Sequence, residues 1–298
     1  MGYRSVIIEN PAYISGKSGQ LIIRTDREHS VPIEDISALV IANNASTVTA
    51  AALSALGEGG CAVYFCDSKH LPCAVLTPYH QHSRQLAVMK KQLSMSEPMK
   101  KRLWQKIVEV KIKNQAACLD LCSAEGGEAL RKMCGHIKSG DTGNVEGAAA
   151  RKYFPLLFGE NFRRNDEECG YNAALNYGYA ILRGAVARNI SASGLLPALG
   201  IHHKSELDQF CLADDLIEPF RPITDLMVKQ FDLSDELTPS IKRSLVNLLN
   251  MDIAMKGEKQ AVSRAIEMTV QSFAAVISKE KEELLLPELI ALNQHSYE

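Results

Sequence analysis

KHLPCAVLTPYHQHS, residues 69–83, is the stretch on which the fold turns. It carries Pro72 and Pro78 among a cluster of polar residues, and the apolar periodicity changes across it. Before it, SVIIEN (5–10), QLIIRT (20–25), ISALVIA (36–42) and CAVYFC (61–66) are apolar or β-branched runs of strand length. GKSG (16–19) supplies the glycines for a tight connection between YIS and QLII. TVTAAALSALGEGG (47–60) suits a short helix closed by Gly57, Gly59 and Gly60. Those glycines follow a helix rather than a strand, so a dinucleotide-binding fingerprint is not supported. After residue 83 the pattern is helical almost to the end. Leu103, Ile107, Val110, Asn114, Ala117 and Leu121 recur at steps of four and three and predict one long helix. The chain reads as α+β: a β-rich N-terminal domain over 1–75, a linker at 76–83, and a larger all-helical domain over 84–298.

The bulk numbers exclude several classes. With 298 residues, 46% hydrophobic and 23% charged, the chain has material for a large core and no signature of disorder. Its eight cysteines form no C-x-x-C pair and no zinc or disulfide spacing, which predicts reduced, packed thiols. The N-terminus lacks a signal-peptide core, and the longest uncharged run, 36–57, holds Asn43, Asn44, Ser46, Thr47 and Thr49, a poor membrane span. A cytoplasmic protein without a membrane partner is expected. Net charge is only −2, yet nine basic residues stand against two acidic ones between Arg84 and Lys113. That run is either a solvated helix face or a strip that contacts phosphates.

Candidate chemistry lies in two segments. In NVEGAAARKYFP (144–155) a helix capped near Asn144 puts Glu146 on one face with Ala149, Ala150 and Tyr153, pointing inward. No basic residue follows three or four positions later, so Glu146 is either an acid at the rim of the core, paired with a distant arginine such as Arg183, or part of a site. GIHHKSELDQFCLADDLIEPFRP (200–222) crowds His202 and His203 with five carboxylates. In a helix, Asp214 or Asp215 converges with Glu218, and such a pair needs a cation, either a hard divalent metal or Arg221. Ser205 with Asp208 has the form of a capping box. A straight helix from Ser205 to Glu218 would nevertheless span roughly 20 Å, too far for His203 and Glu218 to share an ion. The metal reading therefore requires a turn between His203 and about Cys211, a new helix near Ala213 or Asp214, and a kinked or short helix at Pro219 and Pro222. A set of Glu, His and Glu or Asp donors suits Mg2+ or Mn2+.

These residues in this order resemble the CRISPR adaptation integrases, the CRISPR-associated protein one family, and especially its type II branch. The likeness is carried by YRSVIIENPAYISGKSGQLII, VPIEDISALVIANNASTVTAAAL, CDSKHLP, NVEGAAARKYFP, NAALNYGYAILR, LLPALGIHHKSELDQFCLADDLIEPFRP and the following TDLM. It runs to about residue 230. It implies a β-rich N-terminal domain for dimerisation and partner contacts, a helical catalytic domain, and a homodimer. It also implies that Glu146, His203 and Glu218 are the catalytic and metal-site residues, with Asp215 a supporting acid and the role of His202 open. The activity implied is insertion of new spacer DNA into a CRISPR repeat array by 3′-hydroxyl transesterification. The partners implied are DNA, CRISPR-associated protein two bridging two dimers, and, in type II systems, the effector nuclease and an accessory adaptation protein. Arg84, Lys90, Lys91, Lys101, Arg102, Lys106, Arg163, Arg164, Arg183 and Arg188 are the candidates for holding DNA backbone. Two alternatives stand beside it: a metal-dependent nuclease on branched or single-stranded DNA, and a DNA-binding scaffold whose acids pair with Arg221 and Arg183.

Overall fold

The computed structural model describes residues 4–68, 71–76, 84–166, 168–232 and 237–296. Most of the expected linker, 77–83, lies outside the described residues. The N-terminal region contains β1 (Arg4–Ile8), β2 (Tyr13–Lys17), β3 (Gln20–Arg24), β4 (Glu28–Pro32), β5 (Ile36–Ile41), β6 (Thr47–Val48), α1 (Ala50–Glu58), β7 (Ala62–Cys66) and β8 (Pro72–Val75). They form two sheets, of strand order β1-β5-β7-β8 and β4-β3-β2-β6. The β2–β3 hairpin closes through Ser18 (φ 51°) and Gly19 (φ 75°), the paired positive dihedrals that a two-residue turn demands. Thr49 caps α1, its Oγ1 accepting from the Ala52 N–H.

Because side chains alternate across a strand, the β1-β5-β7-β8 sheet serves two cores. Ile8, Leu39, Ile41 and Val63 pack with Ile14, Leu21 and Leu56 of the second sheet and α1. Ala38, Val40, Ala62 and Tyr64 join the helices that follow. Both faces of ISALVIA and CAVYFC are largely buried in consequence. Tyr64, fully buried, donates its hydroxyl to the Ile181 carbonyl at 2.7 Å and so ties the sheet to the helical region.

That region runs α2 (Gln85–Leu93), α3 (Glu97–Leu121), α4 (Gly127–Met133), α5 (Val145–Phe158), α6 (Gly170–Ala192), α7 (Cys211–Ile217), a 3-10 turn at Glu218–Phe220, α8 (Arg221–Val228), α9 (Pro239–Val246), β9 (Asp252–Met255), β10 (Glu258–Ala261) and α10 (Val262–Ile277). The α+β class stands, but the second region is mostly rather than wholly helical. The β9–β10 hairpin turns at Lys256 and Gly257, both with positive φ, and four residues of strand give too little alternation to stand out among helices.

The stripe predicted on α3 is only partly right. Leu103, Ile107 and Asn114 are buried, but Leu121 is 42% exposed and Trp104, Val108, Lys111, Ile112 and Gln115 are buried as well. α3 is contacted by α4, α5, α8 and the Glu218–Phe220 turn, so a wide arc of it faces protein. The C-terminal segment also lies against it: Asn114 donates to the Pro219 and Pro287 carbonyls and accepts from the Leu289 N–H. The cysteines at 61, 66, 73, 118, 122, 134, 169 and 211 are all free. Among the described residues no helix is long and apolar enough to cross a membrane.

Candidate active site

The break required between His203 and Cys211 is present. α6 ends at Ala192, residues 201–210 form turns, and α7 begins at Cys211. Ser205 and Asp208 do not cap a helix. Their side chains accept from the Leu207 and Phe210 N–H groups within the turns. Pro219 stops α7 after seven residues and opens the 3-10 turn, which sets Glu218 at a junction between helices. α5 starts where expected, with Asn144 Oδ1 accepting from the Gly147 N–H. Asp141 accepts from the N–H groups of Val145 and Glu146, fixing Glu146 in the first turn.

Asp215 organises the histidine loop. Fully buried, it accepts from the backbone N–H of Ile201 (2.6 Å), His202 (3.1 Å) and His203 (3.1 Å), and lies 2.7 Å from His203 Nδ1. This hydrogen bond holds the imidazole pKa above its usual value despite burial, with the charge of Glu218 adding to it. His202 stacks flat on Trp104, ring centroids 4.0 Å apart, and burial pushes its pKa down.

The two glutamates meet at a residue that the sequence reading counted as part of the basic strip. Lys111 is buried, not on the surface, and its ammonium pairs with both Glu146 and Glu218. Glu218 Oε1 also takes Arg221 Nε at 3.0 Å. Burial pushes the Glu218 carboxyl up, but Arg221 and Lys111 outweigh it and hold the group ionised below the usual range. The partner expected for Glu146, Arg183, instead lies 3.6 Å from Asp214, whose pKa burial pushes up to about 6. Neither Asp214 nor Asp215 converges with Glu218. Asp214 faces Arg183 and Asp208, and Asp215 serves His203.

Glu146, Lys111, Glu218 and Arg221 line a polar cavity of about 550 Å³ that also includes Gln115, Arg164, Asn172, Asn176, Tyr179 and Asp225. Asp225 is buried and accepts from the hydroxyls of Tyr153 (2.9 Å) and Tyr179. Burial raises its pKa to about 6, against the two phenol donors. A raised acid binds its proton more tightly in the folded chain. Its stabilisation is therefore complete below about pH 4 and is lost as pH rises through about 6, on the order of 3 kcal/mol for two units. Asp225→Asn is expected to remove that much of the fall in unfolding free energy between pH 4 and 7, read from urea titrations at each pH.

The DNA-backbone candidates divide. Lys90, Lys91, Lys101, Arg102 and Lys106 are exposed along α2 and α3, as is Arg84 just before α2. Lys106 pairs with Glu109 at 3.5 Å and Lys91 lies 3.9 Å from Glu280, so part of the charge is already matched. Arg163 donates to the Glu160 and Phe162 carbonyls, while Arg164 donates to Asn172 and Asn176 at the cavity wall. Arg183 also sits over the Phe210 ring. Arg188 packs near Gly60 and lines a separate, smaller cavity with Ser37 and Asn189. Sequence reasoning missed Lys111, Trp104 and Asp225. Lys111 follows Trp104 by seven residues and Ile107 by four, a spacing that places a cation on the buried arc.

A family profile described as "CRISPR associated protein Cas1" matches residues 5–240. The chain belongs to the Cas1 family. It is 46% identical over the full length of both chains to the "CRISPR-associated endonuclease Cas1" of Neisseria meningitidis serogroup C (strain 8013). It is 25% identical to a protein of the same name from Francisella tularensis subsp. novicida (strain U112), over 89% of this chain and 92% of that one. Among solved structures, the chain superposes on a casposase bound to integration product with a TM-score of 0.79, at 22% identity and over 94% and 92% of the two chains. A CAS1 protein from Thermotoga maritima gives 0.74 at 16% identity, over 92% and 97%. These Cas1-like structures share the order found here, β-sheets followed by a mostly helical region.

The Cas1 relationship implies a divalent ion, and the donor set can be tested against it. Glu146 and Glu218 converge on a single cation, the Lys111 ammonium, and His203 uses Nδ1 for Asp215, so Nε2 is the nitrogen not engaged by that carboxylate. Oxygen donors that already focus on one positive charge fit Mg2+ or Mn2+ in chemistry. In the arrangement seen, no group of three His, Cys, Asp or Glu side chains among the described residues is gathered as a metal cage.

Proposed function

We propose that this Cas1-family chain is the DNA integrase of CRISPR adaptation, joining the 3′-hydroxyl ends of a short DNA fragment to a CRISPR repeat by metal-dependent transesterification. The observation that carries this reading is the convergence of Glu146 and Glu218 on one cation at a polar cavity, beside the His203–Asp215 pair. The 46% identity to the Neisseria protein supports the type II branch. A bound Mg2+ or Mn2+ would polarise the attacked phosphoryl oxygen and favour ionisation of the attacking hydroxyl. Glu146, Glu218 and His203 are the residues proposed to hold it. Asp215 keeps the proton of His203 on Nδ1, so Nε2 serves either as a donor to the ion or as the acceptor of the proton from the attacking hydroxyl. Arg84 and the exposed lysines of α2 and α3 hold the DNA backbone, and the β-rich N-terminal domain carries dimer contacts. A second Cas protein bridging two dimers is proposed on the likeness to a Cas6-RT-Cas1–Cas2 complex, TM-score 0.71, which spans 36% of that chain. A likeness to a TtCas1–DNA complex, TM-score 0.53, supports DNA as the ligand.

The test is a strand-joining assay with purified protein, partner and Mn2+. Glu146→Ala is expected to reduce joining by roughly 10²-fold or more, as loss of a metal-holding carboxylate does. Unchanged joining would remove Glu146 from the mechanism. The relatives are named endonucleases, so nuclease action is the second reading. Fragments with blocked 3′ ends separate the two: integration stops, whereas hydrolysis continues.

A further inference from the structure

The Lys111 ammonium sits between the two carboxylates proposed to hold the metal ion. It reaches Glu146 of α5 and Glu218 of the 3-10 turn from the buried arc of α3, and these are its carboxylate partners among the described residues. We propose that Lys111 is a resident stand-in for the divalent ion: it holds the two carboxylates together in the metal-free chain, and it must release them before an ion can bind. Lys111 thereby sets the metal affinity. The proposal rests on the metal reading above and adds a competitor to it.

The reasoning is electrostatic. Two ionised carboxylates brought together in a buried site repel, and a buried ammonium without partners is costly, so each charge in the triad depends on the others. An ion entering between Glu146 and Glu218 takes both partners of Lys111 at once and places two like charges side by side. Arg221 on Glu218 Oε1 adds a third positive charge and deepens the competition. Relief is at hand in the cavity, whose wall carries Asp166 and Asp225. A lysine stem is flexible enough to swing toward such a wall. The absence of a gathered three-residue cage among the described residues follows if the glutamates are turned onto the ammonium.

The opposite role is a supporting one, in which Lys111 orients the carboxylates for the ion. Mn2+ binding to the full chain without DNA, followed by the electron paramagnetic resonance signal of free Mn2+, separates the two. Lys111→Met and Lys111→Gln are expected to bind Mn2+ roughly tenfold or more tightly than the unaltered chain, because the competing charge is gone. Their melting temperatures are expected to rise more on adding Mn2+. A methionine variant that folds only with Mn2+ present agrees with the proposal, and the glutamine variant carries the affinity comparison. Equal or weaker Mn2+ binding in the lysine variants, at a site that Glu146→Ala abolishes, overturns the inference and leaves the metal reading intact. No site sensitive to Glu146→Ala in any variant overturns both.

Discussion

Glu218→Ala is expected to destabilise the chain by about 3–5 kcal/mol, the range for removing one partner of a buried ion pair. Glu218 is only 7% exposed and neutralises two cations, the buried Lys111 and the half-buried Arg221. Glu146→Ala is expected to cost clearly less. Glu146 is 29% exposed, so water can enter where its carboxylate stood, and Lys111 keeps Glu218. Glu218→Gln should fall between, because the amide keeps the shape and an oxygen beside Arg221 but carries no charge. Urea unfolding of the three variants gives the order directly. Equal losses for Glu146→Ala and Glu218→Ala would mean that the triad is not electrostatically asymmetric as drawn.

Asp215→Asn is expected to lower activity strongly with a small change of shape. An asparagine retains one oxygen for the backbone N–H groups of Ile201, His202 and His203, but turns a donor toward some of the four groups that now point at the carboxylate. His203 loses the charge that fixes its tautomer. Strand joining should fall on the order of 10²-fold. The sign of the pH effect follows from the raised imidazole. Asp215 favours His203 in its protonated form, so the His203–Asp215 contribution to stability is complete below the ordinary imidazole pKa and is lost as pH rises through the raised one. Proton acceptance requires the neutral ring. The inflection at which residual joining switches on should therefore move to lower pH in Asp215→Asn. A pH–rate profile with an unmoved inflection would detach His203 from proton transfer.

Much of this site was legible in one dimension. Asn144 and the small residues after it specify α5 locally, through a cap and good helix formers. The demand that His203 and Glu218 not share a straight helix follows from helix rise alone, and Pro219 keeps α7 short on its far side. The change from strand-length runs to steps of three and four marked the boundary between the two regions for the same reason: each is a statement about neighbours along the chain.

What the sequence could not supply is the partner of each charge. Lys111 belongs by position to a run of basic residues with exposed Lys106 and Lys113, and its spacing from Trp104 and Ile107 puts it on the apolar arc without naming the acids it meets. Its burial depends on α5 and the Glu218 turn lying against α3, and Glu146 is 35 residues away along the chain. Likewise Asp214 and Asp215 are adjacent in sequence yet serve different groups, because successive positions on a helix point about 100° apart, one toward Arg183 and the other into the histidine loop. Helices, strands and their breaks are decided by short-range geometry and read directly from residue order. Which cation neutralises which acid is decided by the packing of distant helices, where loss of solvent makes every charge seek an opposite one, and only the tertiary structure determines that.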